Sequence, residues 1–350
     1  MKYDPHIEIH LHTCIFLVAV QEVYIHRSRL KEDLVKTFMV GDPHCLAGMK
    51  VIDERGKVEE GDGEGVTRDI IATFWQQFFS AAAIGDKEKV PAIRHDYQKS
   101  EWEAIGRILL YGFKRAGYFP IALSKAFVVS CIFGEECIDA KYLLSSFRLY
   151  ITEDEREVFD KIQDGEFPEG EELIDFLGNY KTYKKPSEEN VKQIIFELAH
   201  QELIQKPKYI AQCWSPIVQE LRELEPFGSP QTIDGLYAMK TPTTRKVLKV
   251  ITCQPTDEAE RQCLDHLQRF IRSLDLPALG TFLKYVTGSD LMPDNITISF
   301  TSMDGFARRP IAHTCGPLLE LPRTYLSYNE LAEEFTSLLR EKGAWGFNIV

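Results

Sequence analysis

Val66, Ile70, Phe74 and Phe78 recur at intervals of four residues, and Ile71, Trp75 and Phe79 lie beside them. That spacing places the first four on one face of a helix, and the neighbouring side chains spread the apolar surface well past the narrow stripe of a solvent-facing helix. The helix is predicted to be deeply buried, which requires other elements around it. Helical periodicity supplies them: residues 27–38 carry Leu30, Leu34 and Phe38 on one face, and further helices are predicted over 101–117, 123–133 and 153–163. Residues 7–24 alternate and then become β-branched, the pattern of one or two strands. The first half is expected to be mainly helical with a few strands.

Glycine, glutamate, lysine and proline dominate residues 164–185, which marks a loop or a subdomain edge. Ser187 is placed to cap a helix bearing Val191, Ile194, Ile195 and Leu198. Residues 226–244, with Pro226, Gly228, Pro230 and Pro242, read as loop, and 247–252 as a strand. A Thr256-Asp257 cap then opens a helix whose apolar face is Leu264, Leu267, Phe270, Ile271 and Leu274. A boundary between two lobes is expected at 254–257. The remainder reads as a compact α+β unit: this helix, another over 279–286, a strand over 296–300, a strand leading to Cys315, and a final helix opened by a Ser327/Glu330 capping box.

Charge excludes one class of partner. With 41 Lys+Arg against 53 Asp+Glu, the formal charge is -12, so no basic field attracts phosphate backbones and nucleic acid is not expected as a partner. The longest apolar run, 14–20, is too short to span a membrane, and the acid- and histidine-bearing flank before it is unlike a secretory leader. A cytosolic or nuclear location is expected. There the 8 cysteines stay reduced, and none of them forms a CxxC pair with zinc spacing.

One of these cysteines stands apart. Cys315 lies between a strand-like run and the abrupt Gly316-Pro317 break, which turns the backbone directly after the thiol and exposes it. A thiolate attacks acyl carbons at neutral pH and also leaves readily, so it can hold an acyl group as a thioester ready for an amine. His313 and Thr314 supply polar groups next to it, and an extended strand would put His313 on the same face as Cys315. The competing reading for any one cysteine is a small buried hydrophobe.

Four ordered motifs surround this thiol: FLKYVTGSDLMP over 282–293, ARRPIAHTCGPLLELP over 307–322, SYNEL over 327–331, and Phe347 fourth from the end. Together they resemble the C-terminal lobe of HECT-type ubiquitin ligases. Upstream, VYIHRSRLKEDL (23–34), EGDGEGVTRDI (60–70), AIGRILLYGF (104–113) and YFPIALSKAF (118–127) resemble the N-terminal lobe in the same order, so the likeness spans nearly the whole chain. It is most similar to the short HECT domains of the cell-cycle phase-specific ligase type.

The resemblance implies a bilobal α+β fold. A larger, mainly helical N-terminal lobe would occupy 1–253, with a small conjugating-enzyme-binding subdomain at about 155–225. A hinge at 254–257 and a compact α/β C-terminal lobe at 258–350 would follow. It also implies an activity: Cys315 accepts ubiquitin from a conjugating enzyme as a thioester and passes it to a substrate lysine. Thr314 becomes a polar neighbour of that thiol and Phe347 the aromatic needed for transfer, while His313, read from the residues alone, stays open between a catalytic and a structural histidine. Phe176, Phe196 and Trp214 fall in the region that docks the conjugating enzyme, with ordinary core packing as the competing reading for each. The implied partners are ubiquitin, a conjugating enzyme and protein substrates, with no membrane, and no cofactor is called for, in keeping with the absence of a GxxxxGK[ST] loop.

The chain departs from the family pattern in having Gly316-Pro317 where many members have Phe-Asn, and in lacking a double glycine after Asp290. Two alternatives share the same residues: a scaffold that binds ubiquitin or a conjugating enzyme without transfer, and a cysteine hydrolase using Cys315 and His313. Three further features read as structural or solvated. The acidic GDGEG loop (61–65) would repel phosphate and reads as a solvated turn. His6, His10 and His12 share a strand face and read as exposed histidines ahead of a metal site. Arg308-Arg309 reads as a solvated pair ahead of a partner contact.

Overall fold

The computed structural model describes residues 21–40, 46–59, 61, 63–168, 171–182 and 184–340. Among them the fold is mixed α+β, mostly helical with three small sheets. Two apolar cores organise it, one running from Ile25 to Tyr237 and taking in Leu291, and one from Val247 to Leu339. His6, His10, His12 and Phe347 lie outside the described residues.

The first core begins with β1 (Gln21–His26) and β2 (Leu46–Ile52), which pair in parallel with Ile25 opposite Val51. Parallel neighbours need a crossover, and α1 (Leu30–Val40) lies in it, burying Leu30, Leu34 and Phe38. At the centre lies α2 (Glu64–Ala82), whose Val66, Ile70, Ile71, Phe74, Trp75 and Phe78 are at most 1 % exposed. Its last residue leads into a two-residue antiparallel pair, β3 (Ala83–Ile84) with β4 (Val90–Pro91). Next comes α3 (Lys99–Ala116), packed on α1 and α2 and stopped by Gly117 in the left-handed conformation at φ 60°. The shell is completed by α4 (Lys125–Ile132), α5 (Ala140–Tyr150), α6 (Glu153–Asp164), α7 (Glu171–Asn179), α8 (Val191–His200), α9 (Lys208–Val218) and α10 (Thr232–Lys240). Among the described residues of 155–225, the buried apolar side chains belong to this one continuous core.

Two stretches read as loop contain helices. In 164–185, α7 forms because Leu173, Phe176 and Leu177 share one face and sink into the core. In 226–244, α10 forms because Ile233, Leu236 and Tyr237 do the same. Burial of an i, i+3, i+4 face outweighs the flanking glycines and prolines in both.

The second core is built from α11 (Thr244–Val250), β5 (Ile251–Thr252), α12 (Glu258–Ser273), α13 (Leu276–Thr287), β6 (Ile296–Thr301), β7 (Ile311–His313), β8 (Leu318–Pro322) and α14 (Tyr328–Arg340). The sheet order is β5-β6-β8-β7; β6 is parallel to both β5 and β8, and β7 runs antiparallel to β8. Phe270, Phe282 and Phe335 meet on the helical side, with ring centroids 5.3 Å and 6.2 Å from the Phe335 ring.

Here the boundary differs from the expected one. Residues 247–250 are helical, because Thr243 Oγ1 accepts from the Lys246 amide at 3.2 Å and opens α11, while fully buried Val247 belongs to the second core. Only Ile251–Thr252 are strand, paired with Ile296 and Thr297 of β6. The expected hinge at 254–257 is therefore built into the second unit, and the chain passes between the cores near 241–243.

Within that segment Asp257 caps α12, its Oδ1 accepting from the Glu260 amide at 2.9 Å while Glu260 Oε2 accepts from the Thr256 amide at 2.6 Å. Asp257→Ala is expected to cost about 1 kcal/mol, the usual value of an N-cap, read as a lower urea midpoint for the second unit. No helix among the described residues is long and apolar enough to cross a membrane.

Candidate functional site

Cys315 is exposed at the tip of a hairpin. The loop 314–317 joins β7 to β8, with His313 opposite Leu318 and Ile311 opposite Glu320. The hairpin is held from behind: β8 is an interior strand, its Leu319 and Leu321 are fully buried, and the Thr297 amide donates to the Pro317 carbonyl at 2.8 Å. Interior strands supply this rigidity through paired backbone groups on both edges. A Cβ built on Gly316 would meet nothing within 4 Å, so the position next to Cys315 in the loop faces open space.

The other described cysteines differ in setting. Burial pushes the thiols of Cys131, Cys213, Cys253 and Cys263 above their ordinary pKa, which keeps them protonated and poorly nucleophilic. Cys137 is exposed, with its sulfur 3.6 Å from the Phe133 carbonyl at the end of α4. Cys315 alone among these lies at a junction between the two cores.

That junction is the N-terminus of α2. Thr314 is 6 % exposed, because α2 covers it. A Cβ on Gly65 would lie 2.7 Å from the Thr314 carbonyl carbon and 2.8 Å from the Cys315 nitrogen, so only glycine permits the approach. Facing it from the second unit is Gly288, in the left-handed region at φ 78° as the C-cap of α13, where an added Cβ would lie 2.7 Å from the Gly65 carbonyl oxygen. Arg68, one turn into α2, donates from Nε to the Thr287 carbonyl at 3.0 Å and from Nη2 to the Thr314 carbonyl. Gly65, read as part of a solvated turn, is thus buried against the cysteine hairpin.

Further contacts run along α2. Lys284 donates to Thr73 Oγ1 at 2.8 Å and to Gln76 Oε1 at 3.0 Å. Asp290 accepts from Gln76 Nε2 and from the Tyr118 hydroxyl, both at 3.2 Å. Leu291 is 6 % exposed and belongs to the first core, and the Met292 amide donates to the Lys240 carbonyl at 2.9 Å. Beneath α2, Arg27 bridges Asp69 at 3.0 Å and Glu59 at 2.8 Å. Burial alone would lower the Arg27 pKa, but the bonds to Glu59 and Asp69 outweigh it and raise it above its ordinary value, so the cation is fixed.

The remaining expected site residues separate. Exposed His313 points its Nε2 at Glu320 Oε1, 3.2 Å away across the hairpin. Phe176 and Trp214 are core residues, 2 % and 1 % exposed, and offer a partner no surface; this corrects the expectation of direct contact. Phe196 is half-buried on α8 and keeps an accessible edge. Arg308 is half-buried, bound to Glu330 at 2.6 Å and Glu334 at 3.2 Å over the Tyr325 ring, and corrects the solvated-pair reading.

Gly65, Arg68, Lys284 and Gly288 were not singled out from the sequence. Arg68 lies 246 positions from the carbonyl it binds, and no local pattern encodes such a contact. No protein-family model matches this chain, and no curated protein matches it significantly.

Proposed function

We propose that the chain is a HECT-type ubiquitin transferase acting through Cys315. The observation that carries this reading is the exposed thiol at a rigid hairpin tip, with open space on one flank and a second structural unit on the other. The ordered motifs around 282–331 and 23–127 support it. In the first step the Cys315 sulfur attacks the thioester carbonyl joining ubiquitin to a conjugating enzyme, and the enzyme's cysteine leaves as thiolate. One thioester replaces another, so the exchange is nearly neutral in energy and needs no nucleotide. A substrate lysine amine, having lost its proton, then attacks the same carbonyl. The new C–N bond replaces the C–S bond, and Cys315 is regenerated. The more stable amide makes this step effectively irreversible. One thiol must meet a donor and later an acceptor, and two cores joined through a short segment near 241–243 suit such a task. A cytosolic or nuclear location belongs to the same proposal.

Incubation with charged conjugating enzyme should give a ubiquitin adduct that thiol reductants remove and that Cys315→Ala lacks. Capture of the conjugating enzyme with no adduct would favour a scaffold and overturn the transferase reading.

A further inference from the structure

We propose that Arg68 is a positioning residue for Cys315, latching the cysteine hairpin onto α2 in the stance that meets the acyl donor; this rests on the transferase reading above. The latch is distinct from the anchor that joins the two units. Leu291, buried in the first core, and the Met292–Lys240 backbone bond hold the second unit close to the point where the chain crosses between cores. A rotation about this anchor leaves Leu291 in place and lifts the hairpin from α2. Opposing that rotation are the Arg68 bonds to Thr287 and Thr314, the Gly65–Gly288 approach, and the Lys284 bonds to Thr73 and Gln76.

Two features make Arg68 the controlling group. A guanidinium donates along several fixed directions, so one side chain binds the carbonyl that ends α13 and the carbonyl that precedes Cys315, setting hairpin and helix together. Both acceptors are backbone atoms, so the grip reads the conformation of the loop 314–317 and not its side chains. Cys315 is exposed in this stance. The latched form is accordingly open to a donor thioester, and the anchor gives the loaded hairpin a route to swing away.

Hydrogen exchange and adduct formation on the full chain test this together. In Arg68→Ala and Gly65→Ala, amides of 286–290 and 312–316 should exchange about tenfold faster, while those of α3 stay unchanged and show that the first unit is folded. Adduct formation with charged conjugating enzyme should slow about tenfold in both variants, while discharge of preformed adduct to free lysine stays within about threefold of wild type. Arg68→Lys should recover part of the loading rate, because an ammonium reaches one carbonyl at a time. Unchanged exchange in both variants overturns the latch. Faster exchange with loading within about twofold of wild type, or accelerated loading, overturns the positioning role. Absence of any adduct in wild type overturns the transferase reading and with it the loading role, and the exchange result then decides the latch alone.

Discussion

Trp214→Ala should lower the stability of the first unit by about 4 kcal/mol, the usual loss for a large aromatic removed from a core. Its ring lies 5.5 Å from Phe127, 6.2 Å from Trp75 and 6.4 Å from Phe78, centroid to centroid, so the cavity left behind would be walled by rigid aromatics from α2 and α4. Such walls collapse poorly, and the cavity term stays near its full size. The melting temperature of the first unit should fall by roughly 8–16 °C for a unit of this size. Trp214→Phe should recover most of it. The indole Nε1 has no hydrogen-bond partner among the described residues, so phenylalanine forfeits packing volume and no polar bond. A docking residue gives the opposite pattern: unchanged melting with loss of conjugating-enzyme capture. That result would sink the core assignment. Phe196, half-buried on α8, is the position of the three where the docking pattern remains open to test.

The contrast between Trp214 and Phe196 illustrates what was legible in the sequence. Both are aromatic and both lie in the region likened to a docking subdomain, yet burial separates them, and burial depends on which helix faces which. α2 was readable because its repeat is long and its apolar face broad, and α12 because Asp257 marks its start. Residues 247–250 read as strand because Val247 and Val250 are β-branched, while the Thr243 cap and the buried place of Val247 impose helix. The exposure of Cys315 was legible from its own neighbours, since a strand, a thiol and a Gly-Pro break are adjacent in the chain. Its setting was not. Gly65 and Arg68 lie in a segment whose local signals are acidic loop and helix start, and their contacts arise only when residues more than 200 positions apart come together across the two cores.

Glu88→Gln should stabilise the first unit above pH 7 by about 3 kcal/mol and have much less effect near pH 5, which reverses the common expectation that carboxylates stabilise on ionising. Glu88 is 3 % exposed, and burial raises its pKa from the ordinary 4.5 to about 7; the Ser146 hydroxyl and the Lys125 amide lower it and are outweighed. Both bonds go to Oε2, at 2.7 Å and 3.0 Å, while Oε1 has no partner among the described residues. Ser146 in turn accepts from the Ala126 amide at 3.1 Å, so the carboxyl and its hydroxyl partner together serve the first turn of α4. Because the folded pKa exceeds the unfolded one, the native state holds the extra proton between about pH 4.5 and 7, and stability falls as pH rises through that window. Above it the carboxylate is charged in a site that solvates one oxygen only. Glutamine keeps an acceptor for the Lys125 amide and the Ser146 hydroxyl and carries no charge at any pH. Melting curves at pH 5, 6, 7 and 8 should therefore diverge, wild type falling while Glu88→Gln stays level. Parallel curves would mean that Glu88 ionises normally in the fold, and that the cap on α4 reaches water.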